Sequence, residues 1–233
     1  MLVSIAFGSG AFAQTCHTAL VLALDISDSV DAHEADLQRR GLADALRDPS
    51  VQAAIAPDAD TGAFLMVFEW NDPDSQRVLA PWTFLTSPAE IDAFATNLEL
   101  DHTDRISGQT GIGAAMRFAA NAHGQVAICD RRLIDISGDG PGNTGEPPSS
   151  VKGSDVLVDI IVNGLVIRNP DFDSAQPPGR DPLPYYHRHI KHGPGSFVMV
   201  IDDFDDYAEA IRKKLLRELS SSLANLKNGG NER

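Results

Sequence analysis

Positive charge is scarce in this chain. Its 19 Lys and Arg face 33 Asp and Glu, for a formal net charge of −14. Phosphate recognition needs clustered cations, so nucleic acid is excluded as the main partner, and so is anionic lipid. The acid excess does not by itself imply a metal, because an acidic surface serves solubility first. Beyond the first thirteen residues no run of about 18 apolar residues occurs, so no membrane insertion is expected. Cysteine is limited to Cys16 and Cys129, which admit one disulfide or two buried thiols. Internal repeats are absent. What is present is 233 residues, 42% of them hydrophobic, enough to bury a core within one domain.

Residues 1–13 are apolar and uncharged and end in Ala11-Phe12-Ala13, a small-x-small pattern. They read as a secretory signal peptide cleaved before Gln14, although the usual basic n-region is lacking. The expected location is therefore periplasmic or secreted, where an even cysteine count favours the disulfide.

Residues 18–26 form a nearly continuous apolar run, the pattern of a strand covered on both faces. Residues 31–47 set Ala35, Leu42 and Leu46 against charged neighbours and stop at Asp48-Pro49, which predicts a helix. Segments 63–70 and 77–85 are β-rich and joined by Asn71-Asp72-Pro73-Asp74, a hairpin signature. Helices are expected at 88–98 and 111–122, a buried strand at 133–137, and weak helicity at 150–159. A strand at 160–167 carries Asn163-Gly164, read as a bend; 197–201 is the last strand and 205–219 an amphipathic helix. Segment 168–195 is Pro-rich and aperiodic, which predicts a functional or partner-facing loop. The domain is expected to span 16–219, with 220–233 as a flexible tail. Alternating strands and helices give an α/β fold: a mostly parallel central sheet, one antiparallel edge strand, and helices on both faces.

Three short segments fall at strand ends or helix starts: Asp25-Ile26-Ser27-Asp28-Ser29, Gly108-Gln109-Thr110-Gly111 and Asp135-Ile136-Ser137-Gly138-Asp139-Gly140. Open α/β sheets bind ligands at the carboxyl ends of strands, where strand order reverses. The side chains offered there are two carboxylates and three hydroxyls: Asp25, Asp139, Ser27, Ser29 and Thr110. Mg²⁺ wants near-octahedral oxygen ligands and takes only one or two carboxylates. Zn²⁺ prefers Cys or His, and neither is near in sequence; Ca²⁺ recruits more carboxylates. The donor set favours Mg²⁺, with Mn²⁺ as a close substitute.

These residues resemble the Asp-x-Ser-x-Ser signature of von Willebrand factor A (vWA) domains, the metal-ion-dependent adhesion site, together with that family's Thr from a second loop and Asp from a third. The chain is also similar to short exported bacterial proteins with a single such domain. The resemblance implies a Rossmann-like vWA fold in which Ser27 and Ser29 coordinate the metal directly. Asp25 and Asp139 would act mainly through water, and Thr110 directly or through water. One position would be left for an Asp or Glu of a protein partner, making this an adhesion-type binding domain and not an enzyme. With the remaining charge distant and screened, such binding is expected to respond only mildly to salt. The cysteines fit the same register: Cys16 lies nine residues before Asp25 and Cys129 ten before Asp139. If the two strands are parallel neighbours whose aspartates meet at one end, the cysteines meet at the other.

The competing readings are weaker. Asp25 and Ser27 could merely cap the helix that follows. Gly138-Asp139-Gly140-Pro141-Gly142-Asn143 faintly resembles the metal loop of haloacid-dehalogenase-type phosphohydrolases, with Asp25 as nucleophile. That chemistry needs a cation on the transferring phosphoryl group, and no Lys occurs between Asp25 and Asp139. His187, His189 and His192 read as a solvated tract, and the acids at 202–206 as dipole-favoured residues at a helix start.

Overall fold

The computed structural model describes residues 14–100, 107–126, 129–168 and 181–229, with 221–229 as backbone only. The expected leader at 1–13 lies outside them, as does the stretch 169–180 of the Pro-rich connection.

Strand β1 (Thr15–Asp25) buries every residue from His17 to Asp25. Leu20, Leu22 and Leu24 enter one core, and Val21 and Ala23 enter the other. This period-two split between two apolar cores explains why the run shows no polar alternation. The other strands are β2 (Thr61–Trp70), β3 (Gln76–Leu85), β4 (Arg131–Gly138), β5 (Ile160–Ile167) and β6 (Val198–Ile201). They form one sheet in the order β3-β2-β1-β4-β5-β6. β3 is antiparallel to β2, and all other pairs are parallel. Helices α1 (Ala32–Arg47), α2 (Pro49–Ile55), α3 (Pro88–Leu100) and α7 (Tyr207–Gly229) pack on the β1 leucine face. On the opposite face lie α4 (Ile112–Ala122), α5 (Pro148–Lys152) and α6 (Pro182–Tyr185).

Several local expectations need correction. Asp48-Pro49 ends α1 but also starts α2, because the Asp48 carboxylate caps the Ser50 amide and proline suits the first helical turn. The pair Asn163-Gly164 makes no bend. β5 runs through it with both neighbours paired, and Gly164 has no side chain because the Tyr186 ring occupies that space. The Pro-rich connection is not wholly aperiodic: α6 leads into a π-helical turn, Tyr186–Ile190, whose Tyr186 and Ile190 are buried. Within this tract His187 is exposed as expected, while His189 is half-buried and stacks on Tyr185, with ring centroids 4.7 Å apart. The backbone of the last helix runs to Gly229.

Cys16 and Cys129 form a disulfide with a Cα–Cα separation of 4.8 Å, bridging 113 residues. Closing a loop of that order is worth roughly 4–5 kcal/mol in the chain-entropy account. Non-reduced protein should therefore show no free thiol, and reductant should lower its melting temperature; two titratable thiols in native protein would contradict the bridge.

Behind β4 lies a dry charge cluster. Lys214 of α7 sits 2.7 Å from Asp135 and 2.6 Å from Glu218, all three fully buried, and Asn163 of β5 donates to Glu218 at 2.7 Å. One cation serves two carboxylates. Burial pushes the Asp135 carboxyl up to about 7, against the pull of Lys214. Its folded pKa thus exceeds the unfolded value near 3.9. Between those values the folded chain holds a proton that the unfolded chain has lost, so this group's contribution to stability falls as pH rises. Asp135→Asn should therefore gain on wild type progressively as pH rises from about 4 toward neutrality. Denaturation curves at several pH values read this directly; a margin independent of pH would refute it.

Candidate metal centre

Asp25 ends β1, and Ser137-Gly138 end β4, where Leu24 and Ser137 are register partners. β1 is followed in sequence by the strand on one side of it, and β4 by the strand on the other. Their junction is thus the point at which strand order reverses and a crevice opens. The β1 loop does not serve to cap α1. Asp31 is the cap, accepting from the Glu34 amide at 2.8 Å, while Glu34 accepts from the Asp31 amide at 2.7 Å, a complete capping box.

The Asp25 carboxylate accepts the Ser27 amide at 2.8 Å, which curls the loop back over the strand end. The Ser27 and Ser29 hydroxyls lie 3.2 Å apart, and the Ser29 hydroxyl donates to Asp139 at 2.7 Å. Neighbouring donors in an octahedral Mg²⁺ shell, with bonds of 2.0–2.1 Å, stand about 2.9 Å apart. The Ser27–Ser29 hydroxyl separation lies close to that value, so these two hydroxyls could stand as neighbouring ligands of a small hard cation. Asp25, Ser27 and Asp139 are buried while Ser29 is exposed. Ser29, Thr110 and Asp139 line one open cavity of about 380 Å³. All five residues predicted from sequence are therefore gathered at one spot. Among the described residues no group of three or more His, Cys, Asp or Glu is placed to hold a metal elsewhere.

Residues that the sequence reading did not assign hold the middle loop. Asn143 makes a two-way clamp with Thr110: its side chain accepts the Thr110 amide at 2.9 Å, and its own amide donates to the Thr110 carbonyl at 3.0 Å. Asp28 and Gly108 do the same, with distances of 3.0 and 2.8 Å. The Asn71 carbonyl accepts the Gly111 amide at 2.7 Å, and Asp72 accepts the Gln109 amide at 2.8 Å. Gln38 reaches from α1 to the Asp25 carbonyl at 2.9 Å. The stretch from Gly138 to Asn143, which faintly resembles a phosphohydrolase metal loop, thus uses its asparagine to brace Thr110. The acids at 202–206 behave as expected, Asp203 capping the Asp205 amide at 3.1 Å.

Comparison with known families follows this geometry. A family described as "Protein of unknown function (DUF1194)" matches residues 15–223. The chain belongs to that family. No curated protein matches this DUF1194 chain significantly. Among solved structures it is similar to proximal thread matrix protein 1 from the mussel byssus with a zinc-occupied MIDAS motif, at 14% identity and a TM-score of 0.57, over 87% of this chain and 48% of that one. It is similar to a von Willebrand factor type A protein from Catenulispora acidiphila at 15% identity and a TM-score of 0.56, over 88% and 43%. BatB from Bacteroides thetaiotaomicron matches at 13% identity and a TM-score of 0.52, over 88% and 99%. The DUF1194 chain spans about half the length of the first two. These likenesses place it in the vWA fold, as a single domain of that type.

The clamp makes a definite claim about the Thr110 loop. Asn143→Ala removes the acceptor for a part-buried amide, at a cost of about 1–3 kcal/mol. Amide exchange at Thr110 should accelerate well beyond that of β1, and unchanged protection at Thr110 would show that the loop is held by other means.

Proposed function

We propose that this domain binds a divalent cation, Mg²⁺ or Mn²⁺, through Asp25, Ser27, Ser29, Thr110 and Asp139, and uses it to grip a protein partner. The observation that carries this reading is the Ser27–Ser29–Asp139 chain of oxygens at the rim of the cavity, in a loop that the adjacent helix does not need for capping. Two carboxylates cannot neutralise a divalent cation fully once they act through water, so the bound ion would leave an open, positive position suited to an Asp or Glu side chain. The matrix protein's zinc-occupied motif makes zinc a further ion to test, since the donor set alone does not repel it. Export to the periplasm or beyond suits such a role and the disulfide. We read the domain as a binding module, not an enzyme.

The rim refines the partner and revises the salt expectation. Among the described residues no Lys or Arg lines the cavity, whereas Asp28 and Asp139 do. Burial raises the Glu34 carboxyl, and the charges of Asp31, Asp139 and Asp203 push it further the same way, which places Glu34 in an acidic neighbourhood beside the site. These carboxylates are not distant. A partner carboxylate flanked by Lys or Arg satisfies both the ion and its rim, whereas an acidic peptide satisfies only the ion. Binding should therefore weaken with salt, in contrast to the mild response expected from sequence.

The test is calorimetric titration of Mg²⁺, Mn²⁺ and Zn²⁺ into wild type and Asp25→Ala. Binding in wild type and none in a folded mutant is expected; equal binding in both would move the site. Partner capture from periplasm should then require metal, release with EDTA, and weaken with Thr110→Ala and with salt. A partner retained through EDTA and Thr110→Ala would place its binding on another surface.

A further inference from the structure

The geometry points to Tyr186 as a positioning residue of this metal centre, its phenol hydroxyl serving the carboxylates of Asp25 and Asp139. The inference rests on the metal-binding reading above. Tyr186 belongs to none of the three loops that carry the ligands; it enters from the turn after α6, on the opposite side of β4 from the buried lysine.

Four observations converge. Tyr186 is fully buried, and its hydroxyl has no hydrogen-bond partner among the described residues. A buried hydroxyl without a partner carries the full cost of its lost hydration, so its presence calls for a reason. Next, a Cβ built on Gly138 would lie 2.5 Å from the phenol oxygen and 2.7 Å from the second carboxylate oxygen of Asp25. The two oxygens therefore flank one point, and only glycine leaves that point open. Third, after burial itself, the charges that act most on the phenol are those of Asp25 and then Asp139. Last, Gly164 in β5 clears the ring: a Cβ there would lie 2.7 Å from Tyr186 Cδ1. Two glycines in neighbouring strands thus make room for one phenol beside the Asp25 carboxylate.

A phenol can only donate usefully to a carboxylate. In the metal-free geometry the hydroxyl makes no such bond; with a cation bound, a bond from it to the face of Asp25 or Asp139 turned away from the ion would fix the orientation of that carboxylate, the role that outer-shell partners play at metal sites. Tyr185, next in sequence, takes the Gly142 amide on its own phenol oxygen, so the turn also touches the loop that carries Asp139. The alternative is that Tyr186 is simply a large core side chain, and the two roles predict different things.

Tyr186→Phe keeps the ring and removes only the hydroxyl. The metal-free variant is expected to melt at or above the wild-type temperature, since an unsatisfied buried group has gone. Its Mg²⁺ dissociation constant is nevertheless expected to rise about 10- to 100-fold, the usual loss when an outer-shell partner is deleted. A second readout is spectroscopic. The chain holds three tyrosines, so the tyrosine band in the Mg²⁺-induced ultraviolet difference spectrum is readable, and it should vanish in Tyr186→Phe. Wild-type affinity together with an unchanged difference spectrum in the variant would make Tyr186 a packing residue and overturn the inference alone. Absence of divalent binding in wild type would overturn both this inference and the reading beneath it.

Discussion

The parallel pairing of β1 with β4, in register from Thr18–Arg131 to Leu24–Ser137, is the constraint on which both ends of this molecule depend. At the carboxyl end it sets Asp25 beside Gly138, so two loops far apart in sequence share one crevice. At the amino end it brings Cys16 to Cys129. A slip of one residue would carry Leu20, Leu22 and Leu24 into the core now filled by Val21 and Ala23. Because β1 is buried on both faces, neither core tolerates that exchange, and the register is fixed by packing before any disulfide or ion contributes. The bridge then closes the end of the sheet away from the site, where the chain-entropy gain costs the crevice nothing.

Buried negative charge accumulates around β4. Asp135 and Glu218 share Lys214 on the α7 face, while Asp25 and Asp139 lie buried at the strand end. Each of these groups is costly in a dry interior unless paired. The lysine partly satisfies the first pair, while the second accepts the Ser27 amide and the Ser29 hydroxyl at the rim of the cavity. An ion held by the native state and not by the unfolded chain would stabilise the fold in proportion to the logarithm of its concentration. On the proposed reading, the metal centre and the fold are therefore linked through the same strand-end carboxylates.

Much of this was legible in the sequence, and for identifiable reasons. The apolar runs of β1, β4 and β5 name a parallel sheet because burial on both faces leaves no other pattern. The five oxygen donors sit in short loops directly after strands or before a helix, so their convergence follows from topology alone. What escaped was whatever depended on contacts between distant segments. Asp48 could be read as a stop but not also as the cap of α2. Asn143 carried the right spacing for a polar loop residue, yet its partner, Thr110, lies 33 positions away. The net charge was visible, but not that Asp28 and Glu34 would stand beside the site.

Tyr186 shows where the signal was present and misread. A glycine inside a buried strand marks either a bend or the close approach of another group. At Gly164 it is the second: the strand runs straight and the Tyr186 ring fills the space. Gly138 obeys the same logic in the strand beside it: its missing side chain leaves room both for a phenol and for a carboxylate. At this strand end three unusual features meet: a buried tyrosine hydroxyl, two buried acids, and two glycines in central strands. They lie within one neighbourhood. Local rules are most often broken where function requires it, and that these three features meet at the strand-order reversal supports the site alongside its motif.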